Sequence, residues 1–187
     1  LGGRYKPGVA VAGRTLLDRA LAAVAGAECT VVVGPRRPTV RPVRWTVEQP
    51  PGGGPVAALA AGLAALPECD EVVVLAADLM GVTCDTIDRL RTTLASCATT
   101  EGALLCDTSG HRQWLIGVWR RAPLLAALPA EPGGKSLRGT LSGLSVVDVP
   151  ELPGESADVD TQADLARYLA SGGEGQVTRD PSQRSHW

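Results

Sequence analysis

An aspartate closes the run Glu71-Val-Val-Val-Leu-Ala-Ala-Asp78. Val72 to Ala77 is unbroken apolar sequence, the length of a strand buried on both faces. A carboxylate at the carboxyl end of such a strand faces the mouth of a parallel sheet, where open α/β folds bind ligands. From there it can hold Mg²⁺ against a polyphosphate. An aspartate in this place equally suits a turn or the cap of the next helix.

Three other segments are able to meet Asp78 at that end of the sheet. In Leu1-Gly-Gly-Arg-Tyr-Lys-Pro7, Gly2 and Gly3 let the backbone approach a phosphate and Lys6 supplies a point charge. The same composition also makes a plain loop. Gly52-Gly-Gly-Pro55 opens a helix, where free N–H groups and the dipole favour an anion, although it also serves as a simple strand-to-helix connection. In Asp158-Val-Asp160, alternation puts both carboxylates on one side of an extended segment. One of them can share a metal with Asp78, and Asp160 also suits the N-cap of the helix that follows.

Pro132-Gly-Gly-Lys-Ser136 imitates the end of a Walker A loop, but Pro129 stands where that loop needs its first glycine and no strand runs into it. Lys135 and Arg138 still suit contact with an anionic substrate, although the solvated surface is the expected place for both. His111 lies in a polar turn, and no Ser-His-Asp or Cys-His pattern accompanies it. Trp114 and Trp119 suit either an acceptor pocket or core packing.

The elements that must position these residues alternate between apolar strands and Ala/Leu-rich helices. Helices are expected at 14–25, 56–66, 83–94, 122–128, 136–141 and 161–170. Strands are expected at 30–34, 43–48, 71–77, 103–106, 113–119 and 144–149. Pro55 fits the first turn of its helix, where a missing N–H costs nothing. The βαβα order predicts an α/β fold with a mostly parallel sheet and helices on both faces. One domain is expected over 1–170, with 171–187, poor in core-forming residues, as a flexible tail.

A chain of 187 residues with 44% hydrophobic and 20% charged residues suits one globular domain with a substantial core. The net charge of −2 and the absence of a basic run give no reason to expect nucleic acid as a partner. Apolar runs fall short of a membrane span. The five cysteines are scattered without a C-x-x-C pair, which argues against zinc and fits reduced thiols in a cytosol. There are two lysines, Lys6 and Lys135, against sixteen arginines.

Together these motifs resemble the nucleotidyltransferase family that includes molybdenum cofactor guanylyltransferase. The likeness runs from Leu1 to about Leu169. It rests on Leu1-Gly-Gly-x-x-Lys-Pro7, Gly13-Arg-Thr-Leu-Leu-Asp-Arg19, Pro50-Pro-Gly-Gly-Gly-Pro55, Leu75-Ala-Ala-Asp78, Arg112-Gln-Trp-Leu115 and Asp158-Val-Asp-Thr161. It implies a Rossmann-like three-layer α/β/α sandwich. It also implies attack of a phosphate on the α-phosphorus of an NTP, with GTP as the donor, Mg²⁺ as the cofactor and molybdopterin or another small phosphorylated molecule as the acceptor. In that reading Gly2, Gly3 and Lys6 hold the NTP phosphates, and Asp78 binds Mg²⁺ with Asp160 beside it. Gln49 and Gly54 lie near the nucleoside. No protein nucleophile is required.

The chain also departs from the family pattern. The usual opening strand and Leu-x-Gly-Gly-x-Ser/Ala-x-Arg phosphate loop are expected to precede Leu1. Tyr5 stands where an Asp usually precedes the Lys, and Leu79-Met80 replaces a Pro-hydrophobic pair. Gln49 replaces an Asp of the guanylyltransferases, and Gly34-Pro35 replaces their Asn-Arg. These last two leave the base open between guanine and cytosine. A binding-only relative without turnover is the reading from another class.

Overall fold

The computed structural model describes residues 10–11 and 13–157. Gly2, Gly3, Lys6, Asp160, the helix expected over 161–170 and the tail over 171–187 lie outside the described residues.

Strand β1 (Ala10–Val11) pairs antiparallel with β2 (Arg14–Thr15). Helix α1 (Leu16–Ala23) follows directly. It starts two residues later than its apolar pattern predicts because Thr15 becomes its N-cap, its hydroxyl accepting the Asp18 N–H at 3.0 Å. Its far end is held by Arg41, whose guanidinium donates to the carbonyls of Leu21, Val24 and Ala27.

β3 (Val31–Val33) and β4 (Arg44–Thr46) run parallel. After them come α2 (Pro55–Ala65), β5 (Glu71–Leu75), α3 (Cys84–Ser96), β6 (Gly102–Cys106) and β7 (Arg112–Arg120). The last elements are α4 (Arg121–Ala126), α5 (Leu137–Leu141) and β8 (Val146–Pro150). Four strands form one sheet in the order β5-β7-β6-β8. β6 and β8 are parallel, and β7 runs against both β5 and β6. The sheet is thus mostly parallel with one reversed strand. Strand direction has no mark in the hydrophobic pattern, so the reversal is a product of topology. Among the described residues, neither β3 nor β5 has a partner strand on its second edge.

Period-two alternation sorts side chains into the two outer layers. On one face Ala103 and Leu105 of β6 and Ile116 and Val118 of β7 meet Ile87, Leu90 and Leu94 of α3, with Ala23 of α1. On the other, Val72, Val74, Leu104 and Trp119 meet Val56, Leu59 and Leu63 of α2 and Leu124, Leu137 and Leu141 of α4 and α5. The result is the expected α/β/α sandwich. Trp119 is fully buried and stacks on the half-buried Trp114, with centroids 6.4 Å apart and planes 18° apart, so this pair contributes to the core.

No helix among the described residues is long and apolar enough to cross a membrane.

Candidate functional site

Asp78 stands three residues beyond the end of β5, in a turn, half-buried. β5 enters the site as a two-sided apolar strand and is tied to β7 to its end, where the Ala76 N–H donates to the Leu115 carbonyl at 2.9 Å. No hydrogen bond or ion pair engages the Asp78 carboxylate among the described residues. It does not cap α3. That role belongs to Thr83, which forms a reciprocal capping box with Thr86.

The turn after Asp78 is pinned from the far end of the chain. Leu79 and Met80 are buried at 8% and 3% exposure. The Met80 N–H donates to the Ala157 carbonyl at 3.0 Å. Gly81 lies so close to this segment that a Cβ there would sit 1.9 Å from the Gly154 carbonyl oxygen. The stretch that precedes Asp158-Val-Asp160 is therefore fastened onto the loop that carries Asp78. Nothing in the periodicity of the sequence announces that contact, although Gly81 and Gly154 mark places where backbones can approach.

The glycine-rich segment forms the entry to α2. Glu48 Oε1 accepts the Gly52 N–H at 3.0 Å and Pro50 O accepts the Gly53 N–H at 3.1 Å. Gly54 is the N-cap residue with φ +88°, a left-handed conformation that favours glycine. No side chain caps α2 and no acidic residue occupies its first turn, so the positive end of its dipole is not offset locally.

Gln49 and Pro132 line an open groove of about 380 Å³ with Thr46 and Val47 of the β4 end and alanines of α2 that include Ala57, Ala60 and Ala61. Gln49 is thus brought to α2, beside the Gly54 turn. Asp78 does not line that groove. The Gly134 N–H donates to the Gly53 carbonyl at 2.8 Å, which seats the Lys135 loop on the same turn. Lys135 and Arg138 are exposed, as expected.

His111 is exposed and belongs to the turn after β6, where Asp107 accepts the N–H groups of Ser109 and His111. Burial pushes the Cys106 thiol above its ordinary range, with the charges of Asp148 and Asp107 adding to the shift, so it is no activated nucleophile. Among the described residues no group of three or more His, Cys, Asp or Glu side chains could hold a metal ion.

In an α/β/α sandwich, the region beyond the strand ends, where Asp78 and the uncapped start of α2 lie, is where open α/β folds bind ligands. The model of the MobA-like NTP transferase domain matches residues 1–145, and the chain belongs to that family. Its reaction class is nucleotidyl transfer. No curated protein matches the sequence.

The fold is similar to that of molybdopterin-guanine dinucleotide biosynthesis protein A from Archaeoglobus fulgidus (TM-score 0.65, 18% identity, 91% of this chain and 92% of that one covered). It is also similar to that of 2-C-methyl-D-erythritol 4-phosphate cytidylyltransferase from Thermus thermophilus (TM-score 0.69, 17% identity, 89% and 93% covered). A third similar structure is the manganese complex of Rv0371C from Mycobacterium tuberculosis (TM-score 0.64, 19% identity, 90% and 93% covered).

Proposed function

We propose that this protein transfers GMP from GTP to the phosphate of molybdopterin, in the cytoplasm, releasing pyrophosphate. The observation that carries this reading is the Asp78 carboxylate. It is half-buried beyond the β5 end, it has no partner among the described residues, and it lies in a member of the MobA-like family. A carboxylate with free lone pairs suits Mg²⁺, which binds one or two protein carboxylates and takes its remaining ligands from water and phosphate. That economy fits the lack of any larger acidic cluster among the described residues. Asp78 and Asp160 would hold the ion, which would neutralise the NTP phosphates and the charge that develops on the leaving group.

An oxygen of the acceptor phosphate attacks the α-phosphorus of the NTP. The bond from the α-phosphorus to the oxygen that bridges to the β-phosphate breaks, and the electron pair leaves with pyrophosphate. The protein supplies position and charge. Lys6, with the backbone of Gly2 and Gly3, offsets the charge of the NTP phosphates. The turn at Gly54 and the amide of Gln49 hold the nucleoside at the start of α2.

A second reading is cytidylyl transfer to another small phosphorylated acceptor. Gln49 and Gly34-Pro35 favour it, because both depart from the guanylyltransferase pattern, and the likeness to the Thermus thermophilus cytidylyltransferase supports it. The test is pyrophosphate release with Mg²⁺, molybdopterin and each of the four NTPs in turn. Acceptor-dependent release with GTP is expected. Release with CTP alone makes cytosine the base and keeps molybdopterin as the acceptor. No release with any NTP from folded protein favours a different acceptor or binding without turnover, and calorimetric titration with the nucleotides then separates these two.

A further inference from the structure

β6 and β7 fall out of register at the end of the sheet where Asp78 lies. Leu104 pairs with Gly117, yet two residues further along β6 Cys106 pairs with Arg112, five residues back along β7. β7 therefore carries three residues more than β6 over that stretch, which contains Gln113, Trp114 and Leu115. Bulges re-aim side chains and are common beside active sites.

Here two side chains are re-aimed. Strict alternation would place Trp114 with Ile116 and Val118 on the face that meets α3. Its ring instead stacks on Trp119, which belongs to the face that meets α2. Leu115, which alternates with Gly117 and Trp119, is displaced outward and is 37% exposed. Gly117 leaves room for the Trp119 ring, since a Cβ there would sit 3.1 Å from its Nε1.

The bulge is held at both ends. The Arg112 guanidinium donates to the two Asp148 oxygens at 2.7 and 3.3 Å. Gln113 Nε2 donates to Asp107 Oδ2 at 3.0 Å. On the other side, the Leu115 carbonyl accepts the Ala76 N–H. Asp78 follows Ala76 by two residues, so the two Cα atoms stay within roughly 7 Å of each other. A half-buried tryptophan backed by a second indole, with an exposed leucine next to it, makes an apolar shelf close to the acid. Neither Trp114 nor Leu115 lines the groove of Gln49. A ring resting on the shelf is therefore a second ring, apart from the base placed beside Gln49.

We propose that the bulge at Gln113–Leu115 recognises the acceptor: Trp114, backed by Trp119, stacks on the planar ring of the phosphorylated acceptor, and Leu115 flanks that ring. The proposal rests on the reading of the acceptor as molybdopterin, whose pterin presents a flat pyrimidine ring, and of Asp78 as the place of transfer. Tryptophan suits this task because it offers a large rigid π-face with little rotamer freedom to lose.

The test is calorimetric titration of wild type, Trp114→Phe, Trp114→Leu and Leu115→Asn with molybdopterin and, separately, with GTP or CTP and Mg²⁺. Trp114→Leu is expected to weaken molybdopterin binding by about 10-fold, within the range that aromatic stacks on bases lose on truncation. Its nucleotide affinity is expected to stay as in wild type. Trp114→Phe keeps a ring and is expected to retain most of the molybdopterin affinity. If Trp114→Leu does not fold, Leu115→Asn, at an exposed position, carries the same expectation in direction. Unchanged molybdopterin affinity in the folded variant, a loss as large in Trp114→Phe as in Trp114→Leu, or a matching loss of nucleotide affinity would overturn the proposal. No molybdopterin binding by wild type would instead overturn the acceptor reading on which it stands.

Discussion

The Gly134 N–H donates to the Gly53 carbonyl at 2.8 Å, so a loop some eighty residues along the chain braces the turn that opens α2. Gly54, the next residue in that turn, holds φ at +88°. A side chain at Gly54 meets no atom within 4 Å, so its penalty is conformational. Gly54→Ala is expected to cost roughly 1–3 kcal/mol of stability, because φ +88° with ψ −176° is a backbone region essentially reserved for glycine. It should also weaken NTP binding. Denaturant melts and nucleotide titration check the two effects separately.

Gly81 presents the opposite case, a steric one. A Cβ there would overlap the Gly154 carbonyl at 1.9 Å and its carbon at 2.6 Å, both rigid backbone atoms. Gly81→Ala must therefore part the 152–157 segment from the Asp78 loop. Hydrogen exchange at the Met80 amide is expected to accelerate in this variant while the α3 and β6 amides keep their protection.

The buried face of α3 sets the stability of the sandwich. Leu90 and Leu94 are fully buried between the helix and the sheet. Leu90→Ala is expected to cost about 2–5 kcal/mol, measured by urea unfolding, because the cavity closes only in part. Thr83→Ala removes the helix cap and should cost about 1 kcal/mol.

Asp107 titrates below the ordinary carboxylate range, chiefly because the backbone N–H of His111 bonds its carboxylate. The Ser109 N–H, the His111 ring and the Gln113 amide also lower it. Its folded-state pKa lies below the unfolded one, so its contribution is fully present above the ordinary carboxylate range. The contribution is lost as pH falls through the lowered value. Unfolding measured from about pH 6 down to about pH 3 should show a shallower fall in stability for Asp107→Asn than for the parent.

Much of this arrangement was legible in local sequence. The Val72–Ala77 run, Pro55 in the first turn of α2 and the polar turn Asp107–His111 all carry period or punctuation signals, and each of these three formed within a few residues of its expected bounds. The place of Asp78, half-buried beyond a two-sided apolar strand, was legible as well. What stayed hidden were contacts between distant parts of the chain. Gly134 reads as part of a surface loop because nothing nearby in sequence names Gly53 as its partner. Glu155 reads as one more surface acid because its partners, Thr86 and Arg89, lie more than sixty residues away. The reversed direction of β7 is equally silent, since alternation is the same for either direction of a strand.

The central claim is that Asp78 supports metal-dependent nucleotidyl transfer. It is tested most directly by comparing Mg²⁺-dependent pyrophosphate release in wild type and Asp78→Ala, with molybdopterin as acceptor, all four NTPs present and unchanged thermal melts as proof of folding. Release by wild type that drops to background in the variant is the expected result. Undiminished Mg²⁺-dependent release by folded Asp78→Ala would contradict the assignment.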